Sequence, residues 1–275
     1  MSVSGNSLSA ATKFTARAST TFDITSDSAI AQRGCWLLMQ PIDDEVLKRR
    51  DAPIHIKTVS HHQGWVDFPD KGSWSWFELA IVSASAQVDS NGNVAYDSVK
   101  KAGDKTLAWL SHSHPVDQKG TFETFEHSFP YNHEIWKHLK VGDRLAVFGC
   151  AQYPRWSCTG CDVELKIGQV ALGTVTRKSP NRISCDFVIG GYTLTFDATL
   201  MPSLSAFTSK TAKICYMDKD DLTGTSSFSG YFGQDDFMIT IADDAETEIA
   251  TISGDLNEEL KKRNQVDGTG TWMSS

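Results

Sequence analysis

Hydrophobic and polar positions alternate in short runs along most of the chain. The segments "SWSWFELAIVSA" (73–84) and "DRLAVFGCAQY" (143–153) place apolar residues at every second position, and turn residues follow both. A period of two puts successive side chains on opposite faces of a β-strand. In the second half, "ISCDFVIGGYTLTFDATL" (183–200) predicts two strands that fold back at Gly190-Gly191. The pattern therefore predicts an all-β protein with antiparallel sheets.

Only two segments have helical character. In "NHEIWKH" (132–138), Asn132 is an acceptable N-cap, Glu134 suits a first turn, and the apolar residues that follow are expected to pack inward. The segment "DLNEELKKR" (255–263) is the second predicted helix. The predicted fold class is two antiparallel β-sandwich or barrel-like domains with one or two short helices.

Tryptophan and histidine are distributed unevenly. Seven of the eight tryptophans lie in the first 160 residues, and all eight histidines lie between His55 and His138. Such a change in composition predicts a boundary near "KIGQVALG" (166–173). We therefore predict a Trp- and His-rich sandwich domain over 10–168 and an acidic β-meander domain over 169–275.

Charge and hydropathy narrow the class of partner and the compartment. The net charge of −8 disfavours nucleic acid, which selects Lys- and Arg-rich surfaces. No apolar run reaches the roughly 18 residues of a spanning helix, and the first thirty residues lack a signal-peptide core. A cytoplasmic location without a transmembrane segment is predicted. The six scattered cysteines are interpreted as reduced thiols.

The segment "NHEIWKH" lies close to the zinc-protease pattern H-E-x-x-H but departs from it in spacing. His133 and His138 are five residues apart, so on a helix their directions differ by about 140°, whereas a spacing of four gives about 40°. The weaker metal candidates are His112 and His114, which would share one face of a strand. The alternative is that these two are ordinary surface residues.

No motif for nucleophilic or phosphate chemistry is present. The chain lacks G-x-S-x-G, G-x-x-x-x-G-K-S/T and G-x-G-x-x-G. The Cys-x-x-Cys spacing of Cys158 and Cys161 has no second pair for zinc and leads into a strand rather than a helix. A turn with two unengaged thiols, or with an adventitious disulfide, is therefore predicted. These absences favour binding over catalysis, and no cofactor is indicated.

Aromatic and polar residues cluster around the strand that begins near Ser73. Trp74, Trp76 and Glu78 share one strand face, and "SHHQGWVDFP" (60–69) adds further aromatic and polar residues, Asp67 among them. Indole rings beside polar groups are typical of sugar-binding surfaces. The alternative is that Trp74 and Trp76 lie in a second small core or a domain interface. The predicted ligand-binding residues are His61, His62, Trp65, Trp74, Trp76 and Glu78.

Four segments follow one another in the first half: "HHQGWVDFP" (61–69), "WSWFEL" (74–79), "NHEIWKHLKVGDRLAVFGCAQYPRW" (132–156) and "DVELKI" (162–167). On these segments, residues 55–168 resemble an uncharacterised module of mushroom-forming fungi. The resemblance implies a fungal, cytoplasmic, β-rich protein and carries no assigned activity.

The leading functional hypothesis is a non-enzymatic, lectin-like protein of fungal defence that binds a glycan or a small amphipathic or aromatic ligand. The alternatives are a membrane-active, pore-forming-like defence protein, a carrier of a hydrophobic or coloured small molecule, and a metal-assisted enzyme that uses His112 and His114. Homo-oligomerisation is compatible with each of them.

Overall fold

The structure is a computed structural model that describes residues 14–66 and 69–275. The chain forms two compact units, Met1–Ile167 and Gly168–Ser275. The predicted boundary between residues 168 and 169 lies one residue away, and residues 10–13 of the predicted first domain lie outside the described residues. Strands dominate both units and nearly all sheets are antiparallel, which confirms the all-β fold class.

The described part of the first unit contains eleven strands, two short α-helices and two 3-10 turns. The strands are β1 Thr15–Ala18, β2 Phe22–Thr25, β3 Gln32–Leu38, β4 Ile54–His62, β5 Ser75–Val82, β6 Lys101–Ala102, β7 Lys105–Thr106, β8 Ala108–Ser113, β9 Glu123–Phe129, β10 Arg144–Ala151 and β11 Ser157–Ile167. The helices are α1 Asp44–Lys48 and α2 Ile135–His138, and the 3-10 turns are Pro69–Lys71 and Tyr96–Ser98.

These strands form two facing sheets and a small ribbon. One sheet has the order β1-β11-β4-β9, with β2 also paired to β11, and the other has the order β3-β10-β5-β8. β6 and β7 pair only with each other. The buried face of β4 changes along its length from the aliphatic Ile54 and Ile56 to the polar Thr58, Ser60 and His62. The interior of the sandwich is therefore apolar at one end of β4 and polar at the other.

Strand β5 is buried on both faces. Phe77 packs between the sheets against Trp36, with ring centroids 5.7 Å apart. On its other face, Ala80 and Val82 pack against Val94 and Val99 of the segment that follows β5. The alternation in "SWSWFELAIV" therefore separates two cores rather than a core from solvent.

The second unit, all of whose residues are described, is a closed barrel. Its strands are β12 Gln169–Ser179, β13 Arg182–Ile189, β14 Tyr192–Met201, β15 Thr208–Tyr216, β16 Thr225–Phe232, β17 Asp236–Ala242, β18 Glu248–Asp255 and β19 Asn264–Ser274, with a 3-10 turn at Lys219–Asp221. Their order around the barrel is β12-β13-β14-β19-β16-β17-β18-β15, and β15 pairs back to β12. Closure leaves no unpaired strand edge.

The barrel interior is filled with aromatic and aliphatic side chains. The buried rings include Phe196, Phe228, Phe232, Phe237 and Trp272. The predicted hairpin is confirmed: β13 and β14 are joined at Gly190-Gly191, whose φ angles of +61° and +88° favour glycine.

Three local predictions need correction. The predicted helix over 255–263 is wrong, because this segment contains no helix. Its groups bond to other parts of the barrel instead: the Glu258 carboxylate accepts the backbone N–H of Thr208, and the Leu260 N–H donates to the carbonyl of Gln234. The turn predicted at Cys158 and Cys161 is wrong as well, because both residues lie within strand β11. The helix near 135 is confirmed, but its N-cap is Glu134 rather than Asn132.

Among the described residues, the helices are too short and too polar to cross a lipid bilayer.

Candidate ligand-binding pocket

A pocket of about 370 Å³ opens on the first unit, within the size range of small-molecule sites. Its lining is mainly aromatic and consists of Trp65, Val66, Lys71, Trp74, Tyr153, Pro154 and Trp156. Two of the predicted ligand-binding residues, Trp65 and Trp74, therefore line the same cavity.

One wall is the loop that follows β4. The Gln63 amide clamps this loop, because its Nε2 donates to the Trp65 carbonyl at 2.9 Å and its Oε1 accepts from the Ser157 N–H at 3.2 Å. Gly64, at φ +86°, lies so close to Gly120 that a Cβ on Gly64 would come within 2.9 Å of the Gly120 Cα. Trp65 is thus held by backbone anchors on both sides.

A second wall is the segment between β10 and β11, which supplies Tyr153, Pro154 and Trp156. Tyr153 and Arg155 adopt φ angles of +68° and +75°, a conformation that costs a non-glycine residue about 1–2 kcal/mol. The segment stays in place because the Gln152 N–H donates to the Trp74 carbonyl and the Arg155 N–H to the Ser26 carbonyl, both at 2.9 Å. Backbone strain retained by a surrounding structure is a feature of functional sites.

Two of the aromatic rings that line the pocket pack against each other, and this contact fixes their orientations. Trp74 and Tyr153 pack edge-to-face with centroids 4.7 Å apart. Trp65 is 46% exposed, whereas Trp74 and Trp156 are half-buried, so indole surface remains open to a ligand. Lys71, which is exposed, adds a cationic hydrogen-bond donor to the lining. The arrangement suits a ligand with a flat apolar face and a polar rim.

Two predicted site residues, Trp76 and Glu78, belong to a different cluster. The Glu78 carboxylate accepts from Trp76 Nε1 at 2.9 Å, from the Tyr96 hydroxyl at 2.7 Å and from Arg33 Nε at 3.3 Å. The Arg33 guanidinium lies 4.5 Å from the Tyr96 ring centroid. Burial and the hydrogen bond to Glu78 raise the pKa of the Tyr96 hydroxyl. The structure thus places Trp76 and Glu78 beside the second small core, apart from Trp74.

Neither of the two predicted histidines, His61 and His62, lines the pocket. The His61 Nδ1 lies 2.6 Å from the backbone oxygen of His62, and the His61 ring packs edge-on against Phe122. His62 is fully buried, and its ring centroid lies 5.5 Å from that of Trp156. Asp67, also expected near the site, lies outside the described residues.

The two metal candidates lie at the polar end of the sandwich, where His112 is half-buried and His114 is buried. Both reach across to β4, as expected for positions i and i+2 of a strand. Every ring nitrogen of the pair lies 2.8–2.9 Å from a hydroxyl, and these hydroxyls belong to Thr58, Ser60, Ser75 and Ser111. Burial lowers the pKa of His112 to about 4 and that of His114 to about 3. In the part of the chain that the structure describes, no three His, Cys, Asp or Glu side chains converge as a metal site.

Sequence reasoning missed Tyr153, Pro154 and Trp156 as pocket residues. The available signal was the segment "CAQYPRW" (150–156), in which a proline separates aromatic residues between two predicted strands. Aromatic residues at a connection rather than within a strand are free to face a surface pocket.

The fold and the pocket define an all-β protein of two units with an aromatic cavity in the first unit. Comparison with protein-family models, with curated proteins and with solved structures finds no match to this chain.

Proposed function

We propose that this protein binds a glycan or a small amphipathic or aromatic ligand in the pocket that contains Trp65, Trp74, Tyr153 and Trp156. The observation that carries this proposal is the convergence of three indoles and one phenol, from three separate chain segments, on one cavity of about 370 Å³.

The chemistry of the lining defines the ligand. Aromatic faces stack on the C–H face of a pyranose or on another ring, with about 0.5–1.5 kcal/mol for an aromatic pair beyond area burial. Tryptophan side chains have only two rotatable χ angles, so ordering them on binding costs little entropy. The anchored loops at Gln63 and Gln152 reduce that cost further, because the walls are already positioned.

The resemblance of residues 55–168 to a fungal module extends the proposal to a biological setting. In that setting the protein is a cytoplasmic, lectin-like component of fungal defence. A carrier of a hydrophobic or coloured compound would use the same pocket. An absorption spectrum and native mass spectrometry of the purified protein identify such a compound.

The direct test combines a glycan array with a tryptophan-fluorescence titration of each hit and of a panel of small aromatic compounds at neutral pH. We expect Trp65→Ala to weaken binding at least about 30-fold, because central tryptophans of binding sites contribute about 2 kcal/mol or more. Phe122→Ala is the matched control, since Phe122 is 49% exposed, close to the 46% of Trp65, and does not line the pocket. Equal affinity in the two variants, or no binding to any compound, rejects the proposal.

A further inference from the structure

The loop that carries Trp65 is tied to a buried imidazole. The Nδ1 atom of His62 accepts the backbone N–H of Gly64 at 3.0 Å, and Nε2 faces the carbonyl oxygen of Pro115 at 3.1 Å. A backbone N–H needs an unprotonated nitrogen, and a carbonyl needs an N–H donor. The two bonds therefore assign His62 as the neutral tautomer with its proton on Nε2.

A proton added to Nδ1 would remove the acceptor of the Gly64 N–H. Two N–H donors would then face each other across 3.0 Å, and a part-buried N–H donor without an acceptor destabilises the closed loop. Gly64 has little room to adjust in place, because it packs against the backbone of Gly120. Separation of the loop from β4 relieves the conflict, and Trp65 is the next residue along that loop.

We propose that His62 is a pH-sensitive latch of the ligand pocket, whose protonation releases the Gly64–Trp65 loop and so weakens ligand binding in acid. The effect on binding rests on the function proposed above, whereas the effect on the loop does not. Trp65 and Val66 form one side of the lining, so displacement of this loop removes stacking surface from the cavity.

The groups around His62 set the direction of its titration. Burial lowers the pKa of His62 below its ordinary value, the bond to Pro115 raises it, the adjacent His61 lowers it, and the Glu123 carboxylate raises it. His114 faces the ring at 6.1 Å, and Cys158 of β11 lies opposite in the strand register. The latch thus stays closed at neutral pH and opens on the acid side of the ordinary histidine pKa.

Two substitutions of His62 test its two hydrogen bonds separately, the one accepted at Nδ1 and the one donated from Nε2. In His62→Asn, the amide oxygen stands the same number of bonds from Cα as Nδ1, so it can accept the Gly64 N–H and does not titrate. In His62→Gln, the amide nitrogen replaces Nε2 as donor to Pro115, and the amide oxygen stands one bond farther from Cα than Nδ1, so no acceptor occupies the Nδ1 position that receives the Gly64 N–H. The first variant mimics the closed latch at every pH and the second the open latch.

The test follows the ¹⁹F resonance of Trp65 in protein labelled with 5-fluorotryptophan, assigned by its loss in Trp65→Phe, from about pH 8 to about pH 5. His112 and His114, with pKa values of about 4 and 3, remain neutral over this range. We expect the Trp65 resonance to shift with pH, and its midpoint to equal the midpoint at which the backbone amide resonance of Gly64 shifts. In His62→Asn it should stay at its neutral-pH position, and in His62→Gln at the acid position. Trp36, buried in the same unit, should not shift and reports that the sandwich remains folded.

A Trp65 resonance that does not titrate, or that titrates equally in His62→Asn, overturns the latch. The proposed function fails by a different result, the absence of Trp65-dependent binding at neutral pH. Where a glycan or aromatic compound does bind, its affinity should fall in acid for the wild type and remain constant for His62→Asn.

Discussion

The interiors of the two units differ in chemistry. The buried polar residues of the barrel, which is described in full, are hydroxyl side chains only: Ser184, Ser209, Ser226, Thr251 and Ser253. Those of the sandwich include ionisable and amide groups: His62, Glu78, His114, Gln118 and Asp143. A buried polar group requires a partner in a defined position, so the ionisable and amide groups of the sandwich demand a more specific geometry than the buried hydroxyls of the barrel. The pocket lies in the unit whose interior holds these groups.

The largest difference between the two units should be in how their stability depends on acid pH. His112 and His114 have folded-state pKa values of about 4 and 3, below the value of about 6.5 in an unfolded chain. The unfolded state therefore binds protons first, and stability falls as the pH drops from about 6.5 towards 4. The loss is on the order of 2–3 kcal/mol for each histidine by about pH 4.5. The barrel has no histidine, so its stability should change little in this window.

Hydrogen exchange read by mass spectrometry measures this difference, because the peptides of each unit are followed separately. His114→Gln retains a donor towards Ser60 and removes one titrating group, so it should flatten the acid dependence of the sandwich. Loss of protection in the barrel first, or an unchanged slope in His114→Gln, contradicts this account.

The apolar interior of the barrel should respond to a cavity rather than to pH. Phe196 is fully buried, and its ring centroid lies 4.7 Å from that of Trp272 and 6.0 Å from that of Phe228. Phe196→Ala should reduce the free energy of unfolding by about 3–5 kcal/mol, equally at pH 7 and pH 5. Denaturant unfolding followed at the ¹⁹F resonance of Trp272 in protein labelled with 5-fluorotryptophan tests this, because the other seven tryptophans lie in the first unit. Val188→Ala, at a residue 65% exposed, is the control and should change it by less than about 0.5 kcal/mol. A loss under about 1 kcal/mol in Phe196→Ala would show a loosely packed barrel.

Local patterns predicted the strands and the hairpin because their causes are local. Alternation defines a strand, and the paired glycines Gly190-Gly191 supply the positive φ angles of its turn. The helix prediction for segment 255–263 was wrong because the causes there are not local. The helical composition of this segment is overridden by hydrogen bonds to distant residues: the Thr208 N–H donates to the Glu258 carboxylate, and the Leu260 N–H donates to the Gln234 carbonyl.

The site was only partly predictable, for a related reason. Trp74 and Trp76 are two apart and suggest one shared face, but β5 begins at Ser75 and Trp74 lies outside it. Trp74 can therefore turn towards Tyr153, whereas Trp76 follows the strand geometry to Glu78. Trp65 and Trp156 line one pocket because β4 pairs with β11, and periodicity does not encode which strands pair.

Two loop positions of the sandwich with positive φ angles, Arg155 and Gly92, should show smaller and opposite changes in stability. Arg155 is exposed at φ +75°, where a non-glycine residue costs about 1–2 kcal/mol, whereas glycine costs about 0.5–1 kcal/mol in chain entropy. Arg155→Gly should therefore stabilise the sandwich by about 0.5–1 kcal/mol. Gly92→Ala, at φ +83° with no atom near its added Cβ, is the reciprocal variant and should destabilise by a similar amount. Denaturant midpoints measure both, and destabilisation by Arg155→Gly would indicate a structural role for its side chain.

The smallest effect on stability should be at Trp65 itself. Leu172 and Tyr192 of the barrel are 75% and 65% exposed and do not line the aromatic pocket, whereas Trp65 does. Trp65→Ala and Leu172→Ala should each change the free energy of unfolding by less than about 0.5 kcal/mol, because neither side chain is part of a core. Denaturant unfolding at neutral pH measures both variants. If Trp65→Ala costs 2 kcal/mol or more, its indole stabilises the loop, and the pocket would be explained by folding rather than by ligand binding.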